Sequence, residues 1–137
     1  MDRLTSERRS ALMSKVRGKN TTPEIVVRKL AHRLGFRFRL HRRDLPGSPD
    51  IVFPSRRAVI FVHGCFWHGH ECSKGRLPKS NQAFWSEKIE RNKERDGQNA
   101  RALRRLGWRV LAIWQCELKD AARVERRLVR FLSTTSA

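Results

Sequence analysis

Ala58-Val59-Ile60-Phe61-Val62-His63-Gly64-Cys65-Phe66-Trp67-His68-Gly69-His70-Glu71-Cys72 is the stretch that decides how this chain folds. Its first five residues form an almost continuous apolar run, reached through the turn-forming Pro54-Ser55-Arg56-Arg57. Such a run suits a central strand covered on both faces. The residues that follow, His63 through Cys72, hold three histidines, two cysteines and the adjacent aromatics Phe66 and Trp67. No ordinary core or surface segment needs that mixture. Thiolates and imidazoles at close spacing suit zinc, and a spare histidine beside them can move a proton. A Phe-Trp pair in a His-rich loop is well placed to stack on bases.

Upstream, Thr21-Thr22-Pro23-Glu24 announces a helix. Either Thr22 caps it with Pro23 at the first position, or Thr21 forms a capping box with Glu24. Val27, Leu30, Ala31 and Leu34 repeat at helical spacing, and Gly35 supplies the stop. Phe36–Leu40 alternates apolar and basic residues as a half-exposed strand does. The turn-rich Leu45-Pro46-Gly47-Ser48-Pro49 leads into a short strand, Asp50–Phe53. Downstream, Ser86–Leu106 reads as a long charged helix ending at Gly107, and Trp108–Trp114 as a strand followed by Cys116. Asp120 caps a final helix carrying Val124, Leu128, Phe131 and Leu132.

The order α-β-β-β-α-β-α predicts one α/β domain, a central mixed β-sheet flanked by helices, over residues 21–137. Residues 1–20 are polar and basic, with a helical candidate at Ser6–Val16, and form an arm. Strands 58–62 and 108–114 are joined through a helix, so they are expected to lie parallel by a right-handed crossover. Their C-terminal ends then share one sheet edge, which brings Cys65 and Cys116 together.

Composition narrows the partners. The chain has 137 residues, and 31 Lys+Arg against 13 Asp+Glu give a formal charge of +18. That field suits a polyanion, most commonly nucleic acid; the plainer alternative is a ribosome-associated or merely basic soluble protein. The opening Met1-Asp2-Arg3-Leu4 is no signal peptide, and no apolar run has membrane-spanning length, so a cytoplasmic protein is expected. Three cysteines, two of them in the His-rich cluster, indicate metal ligation in a reducing compartment and not a disulfide framework.

Two constellations carry chemistry. Cys65, His70 and Cys72 are close in sequence, and the crossover delivers Cys116 as a fourth ligand; a Cys3His set closes a tetrahedral zinc site and is structural. The competing account makes Cys116 a small buried hydrophobe and the loop cysteines unligated thiols. Taking those four out leaves His63 and His68 unspent. Asp50 opens a strand beside one that ends at Val62-His63, an arrangement in which several nucleases hold magnesium against a phosphate. By itself a Pro-Asp step is a common turn. Joined to Glu24, His63 and His68 in so basic a chain, Asp50 marks a second site.

With these residues in view, the chain resembles the very short patch repair (Vsr) endonucleases, a zinc-containing branch of the PD-(D/E)XK, restriction-endonuclease-like superfamily. The resemblance runs from about residue 10 to about residue 132. It rests on Thr22-Pro23-Glu24, Leu45-Pro46-Gly47-Ser48-Pro49-Asp50, Val59 through His68, Phe84-Trp85-Ser86-Glu87-Lys88-Ile89, Asn92-Lys93-Glu94-Arg95-Asp96, and Leu106 through Val110 with Trp114-Gln115-Cys116. It implies an αβββαβ core and a magnesium-dependent nick in duplex DNA, 5′ to the thymine of T·G mismatches left by 5-methylcytosine deamination. Under it, Asp50 and the backbone carbonyl of Val62 hold Mg2+, and His68 is the general base. His63 and Glu24 orient water around the metal, and Cys65, His70, Cys72 and Cys116 hold Zn2+. Phe66, Trp67 and Trp85 push between base pairs, and Met13 and Val16 approach from the other groove. Trp108 and Trp114 are assigned to the core.

The superfamily's acidic-x-Lys is replaced by Phe61-Val62-His63, Val62 stands where the family has Thr, and Gly69 and Glu71 stand where relatives carry histidine. Arg42, Arg43, Arg101, Arg104 and Arg105 are candidate phosphate contacts. A monomer is expected, with mismatch-repair proteins as possible accessories and no membrane partner. Two rivals remain: a zinc-stabilised DNA-binding module, which leaves Asp50, Glu24, His63 and His68 without a shared purpose, and a nuclease with a different structural target.

Overall fold

In the computed structural model, which describes residues 21–65, 68, 70 and 81–133, the apolar run is strand β3, Ala58–His63. It lies inside a four-stranded sheet of order β1-β2-β3-β4, with β1 at Arg39–Leu40, β2 at Ile51–Phe53 and β4 at Arg109–Trp114. The β1–β2 and β2–β3 pairs are antiparallel, while β3 and β4 run parallel from Ala58↔Arg109 to His63↔Trp114. The expected mixed sheet and its parallel pair are both present. The described residues form three α-helices, α1 (Thr22–Arg33), α2 (Gln82–Arg105) and α3 (Ala121–Ser133).

Helices cover both faces, which is why β3 reads as a continuous apolar run. On one face Ile51, Ile60 and Ile113 pack with Val27, Leu30 and Ala31 of α1 and Val124, Leu128 and Leu132 of α3, all buried. On the other, Val52 and Val59 pack with Leu103 of α2, Trp108 and Leu45. Each of the Val, Leu and Ile side chains contributes about 1.5–3 kcal/mol through burial.

Local chemistry sets the boundaries. Thr21 is the N-cap of α1, its hydroxyl accepting from the Glu24 N–H at 3.4 Å, with Pro23 in the first turn. Leu34 is the C-cap, followed by Gly35 at φ +88°. Asp120 caps α3 by accepting from the Arg123 N–H at 3.1 Å.

Several expected bounds shift. Strand 36–40 contracts to two residues: in the register Arg39↔Val52, Pro54 falls opposite Arg37, and proline has no N–H for the ladder. Phe36 and Phe38 set their rings edge-on to Phe53, at 6.5 and 6.1 Å. Helix α2 begins four residues before Ser86, placing Phe84 and Trp85 in its first turn. A 3-10 turn at Gln115–Lys119 follows β4. At Gly47 (φ +77°) a Cβ would meet Asn99 Nδ2 of α2 at 2.9 Å, so glycine lets the turn before Asp50 settle on that helix. The arm of residues 1–20, with Met13, Val16 and the Ser6–Val16 helix, lies outside the described residues, as do Phe66, Trp67 and Cys72.

Candidate active site

Asp50 stands just before β2, and its Oδ2 accepts a hydrogen bond from the Val62 N–H at 2.7 Å. The N–H and C=O of one strand residue point to the same edge, so the Val62 carbonyl also faces the Asp50 side. Burial pushes the Asp50 carboxyl up to about 7, against the opposing effect of the Val62 bond, and nearby Glu24 pushes the same way. A carboxylate placed there gains from a cation.

Glu24 projects from α1 and is 1 % exposed. Its Oε1 accepts from Arg28 Nη2 at 2.5 Å and from His41 Nε2. One ligand-type atom from each of Glu24, His41 and Asp50 falls within 4.8 Å of the others. Two carboxylates beside a strand carbonyl form an oxygen-rich set suited to a hard divalent ion such as magnesium.

A second group lies at the end of β3. His63 is buried, and its ring stacks on that of His68 with centroids 4.0 Å apart. Burial first, then the charge of His68, push His63 down to about 4, so it is neutral at physiological pH. His68 Nδ1 lies 2.5 Å from Asp96 Oδ2 of α2. With Nδ1–H donating to the carboxylate, Nε2 is the basic nitrogen. His63, His68 and Asp96 likewise bring their ligand-type atoms within 4.8 Å of one another.

The third group is Cys65, His70 and Cys116, again within 4.8 Å. Cys116 Sγ lies 3.5 Å from His70 Nδ1, and the His70 N–H donates to the Cys65 carbonyl at 2.9 Å. Two thiols and an imidazole match the softer donors zinc prefers. The expected approach of Cys65 to Cys116 is therefore observed, while Cys72 lies outside the described residues.

Three contributors escape a reading of the sequence. Asp96 sits midway between Ile89 and Leu103 at seven-residue spacing, on the stripe of α2 that buries both. An acidic residue on an otherwise core-facing stripe is the signal that could have found it. His41 has no such signal, standing in a run of basic residues between β1 and β2. Trp114 is half-buried and not a core residue like Trp108. Its ring stacks on His70 at 4.3 Å and lies 5.0 Å from His63 and 6.3 Å from His68. The reason is its register: paired with His63 at the last rung of the parallel ladder, it ends where the sheet core ends.

Trp85 is half-buried, and Phe84 beside it is 55 % exposed with the two rings edge to face at 5.2 Å. Among the candidate phosphate contacts, Arg42 is held by Asp44 at 2.6 Å and lies over the Trp108 ring, whereas Arg43, Arg101, Arg104 and Arg105 are exposed. Among the described residues no helix is long and apolar enough to cross a membrane.

Known proteins resemble this chain closely. Residues 1–74 match the family described as DNA mismatch endonuclease Vsr. A protein named Type II nicking enzyme V.XorIIP, from Xanthomonas oryzae pv. oryzae, is 61% identical over 131 residues, covering 96% of each chain. Type II nicking enzyme V.NmeAIP, from Neisseria meningitidis, is 46% identical across 96% of this chain and 94% of its own. DNA mismatch endonuclease Vsr of Escherichia coli K12 is 42% identical over 111 residues, 81% of this chain and 71% of its own. The chain belongs to the Vsr family of DNA mismatch endonucleases, and with it to the hydrolases that cut DNA within the strand.

Proposed function

We propose that the protein nicks one strand of duplex DNA 5′ to the thymine of a T·G mismatch, the lesion left when 5-methylcytosine deaminates, and so initiates very short patch repair. The observation that carries the reading is the 2.7 Å bond from the Val62 N–H to Asp50, which joins the Glu24/His41/Asp50 group to the His63/His68/Asp96 group at one end of β3. A single nick also agrees with the nicking-enzyme names of the Xanthomonas and Neisseria relatives.

In this reading Asp50 and the Val62 carbonyl hold Mg2+, with Glu24 as an outer acceptor for water. Magnesium, when bound, supplies electrophilic assistance to the scissile phosphate. His68 takes the proton of the attacking water on Nε2, and Asp96 orients the ring and stabilises the imidazolium that forms. His63, neutral and stacked on His68, adds no competing positive charge. Cys65, His70, Cys72 and Cys116 hold structural Zn2+, which fixes the loop that carries His68. Phe66, Trp67 and Trp85 wedge into the duplex beside the mismatch, where opening a step costs least. Residues 1–20 form a basic arm on the DNA, with Met13 and Val16 reaching the opposite groove. The protein acts as a monomer, since a mismatch has no two-fold symmetry, and mismatch-repair proteins are accessory.

The test is a pair of duplexes differing only in T·G or T·A at one position, incubated with magnesium. A nick beside T·G alone is expected. Equal cutting of both would remove the mismatch specificity, and cutting on the 3′ side of the thymine would remove the assigned position.

A further inference from the structure

The two carboxylates of the proposed metal site come from distant elements. Asp50, the ligand, comes from the turn before β2 and Glu24, the outer acceptor for water, from α1, and His41 contacts both segments. The His41 ring donates from Nε2 to Glu24 Oε1, while its main-chain N–H donates to the Asp50 carbonyl at 3.3 Å. His41 has φ +48°, the left-handed region. A residue other than glycine is uncommon there and persists where its surroundings over-determine it. The ring is largely buried, and Arg28 Nη2, 3.4 Å from His41 Nε2, donates to the same Glu24 oxygen. Two donors thus hold Oε1 of a buried carboxylate from two different elements, α1 and the β1–β2 connection.

We propose that His41 is a positioning residue for this reaction, fixing the Glu24 carboxylate relative to Asp50 and thereby setting the affinity of the site for its divalent ion. The proposal rests on the reading of Asp50 and Glu24 given above. Its chemistry is that of an outer-sphere partner: it carries no proton in the reaction and touches no substrate. A glutamate that loses the His41 donor is less firmly held, and the water it accepts from beside the ion is less firmly placed. Loss of such partners weakens metal binding about 10- to 100-fold. Because His68 and Asp96 are untouched, proton transfer at saturating metal should keep its rate.

Mn2+ is the probe, its binding to the folded protein followed by the loss of the free-ion electron paramagnetic resonance signal, with no DNA present. His41→Gly removes the ring and suits the left-handed backbone. It is expected to bind Mn2+ at least about tenfold more weakly than wild type, with added imidazole recovering most of the loss. In nicking assays the magnesium concentration for half-maximal rate should rise by a similar factor, while kcat at saturation stays within about twofold. Should His41→Gly fold poorly by circular dichroism, His41→Phe keeps the ring's bulk without a donor and should show the same weakening, and His41→Gln, whose amide can donate, should recover affinity. Unchanged Mn2+ affinity in His41→Gly or His41→Phe, with Asp50→Asn losing the ion, would overturn the role of His41 alone. An Asp50→Asn protein that still binds Mn2+ as wild type does would overturn the metal assignment beneath it.

Discussion

The Asp96 carboxylate lies 2.5 Å from Nδ1 of His68, 28 residues away in the chain. One partner comes from the loop after β3, the other from the middle of α2. A carboxylate on Nδ1 selects the tautomer that leaves Nε2 free to accept a proton.

Asp96→Asn should therefore lower the single-turnover nicking rate by about 100-fold or more, since the amide no longer stabilises the imidazolium. Mismatched-duplex binding should change little. Rapid-quench kinetics beside an anisotropy titration separate the two, and an unaltered cleavage rate would remove the dyad from the mechanism.

Asp50 predicts a proton linkage. In the metal-free fold its carboxyl is raised from 3.8 to about 7. Between those values the folded chain holds a proton the unfolded chain has released, so Asp50 favours folding fully below 3.8 and that contribution is lost as pH rises through about 7. If Asp50 holds magnesium as proposed, the ion displaces the same proton. Calorimetric titration in buffers of differing ionisation enthalpy should find most of a proton released per ion at pH ~6 and much less at pH ~8.5. Equal release at both would contradict the assignment, as would undiminished release in Asp50→Asn.

The proposed zinc site makes a separate prediction. Purified protein should contain about one zinc per chain. Cys116→Ser should release it readily to a chelator and lower the melting temperature by roughly 10 °C, the shift expected from about 3 kcal/mol in a domain of this size. Elemental analysis and a thermal melt check both; a zinc-free wild type with the same melting point would dismiss the metal as scaffold.

Trp85→Ala removes one stacking surface. Nicking of a T·G duplex should fall about 5- to 150-fold, equivalent to the 1–3 kcal/mol typical of a base–aromatic contact. The substitution should leave metal binding alone. If cleavage of the mismatched duplex were undiminished, Trp85 would be a packing residue of the first turn of α2.

The sheet was readable because one physical pattern governs it. Ala58–Val62 is apolar on both alternating faces, and Ile60 and Val59 do pack into opposite cores. Cys65, His70, His63, His68 and Asp50 stood out by residue type at places where strands begin and end. What escaped depends on tertiary contact. Asp96 is one acid in a 24-residue helix full of charge, distinguished only by the buried stripe it shares with Ile89 and Leu103. His41 looks like one more cation in a basic stretch until the chain turns at φ +48° and brings its ring back to α1. The short β1 escaped because the alternation of Phe36–Leu40 says nothing about whether a partner strand remains, and Pro54 ends that ladder.

The parallel pairing of β3 with β4 also sets a timetable. Parallel strands close only after the whole intervening segment has been made, and such long-range closures form late. During synthesis, His68 has no Asp96 until most of α2 has emerged, and His70 has no Cys116 until β4 is complete. A nascent chain that has made only β3 thus lacks partners that the proposed chemistry requires. On the proposed roles, competence to cleave waits until α2 and β4 have both been made.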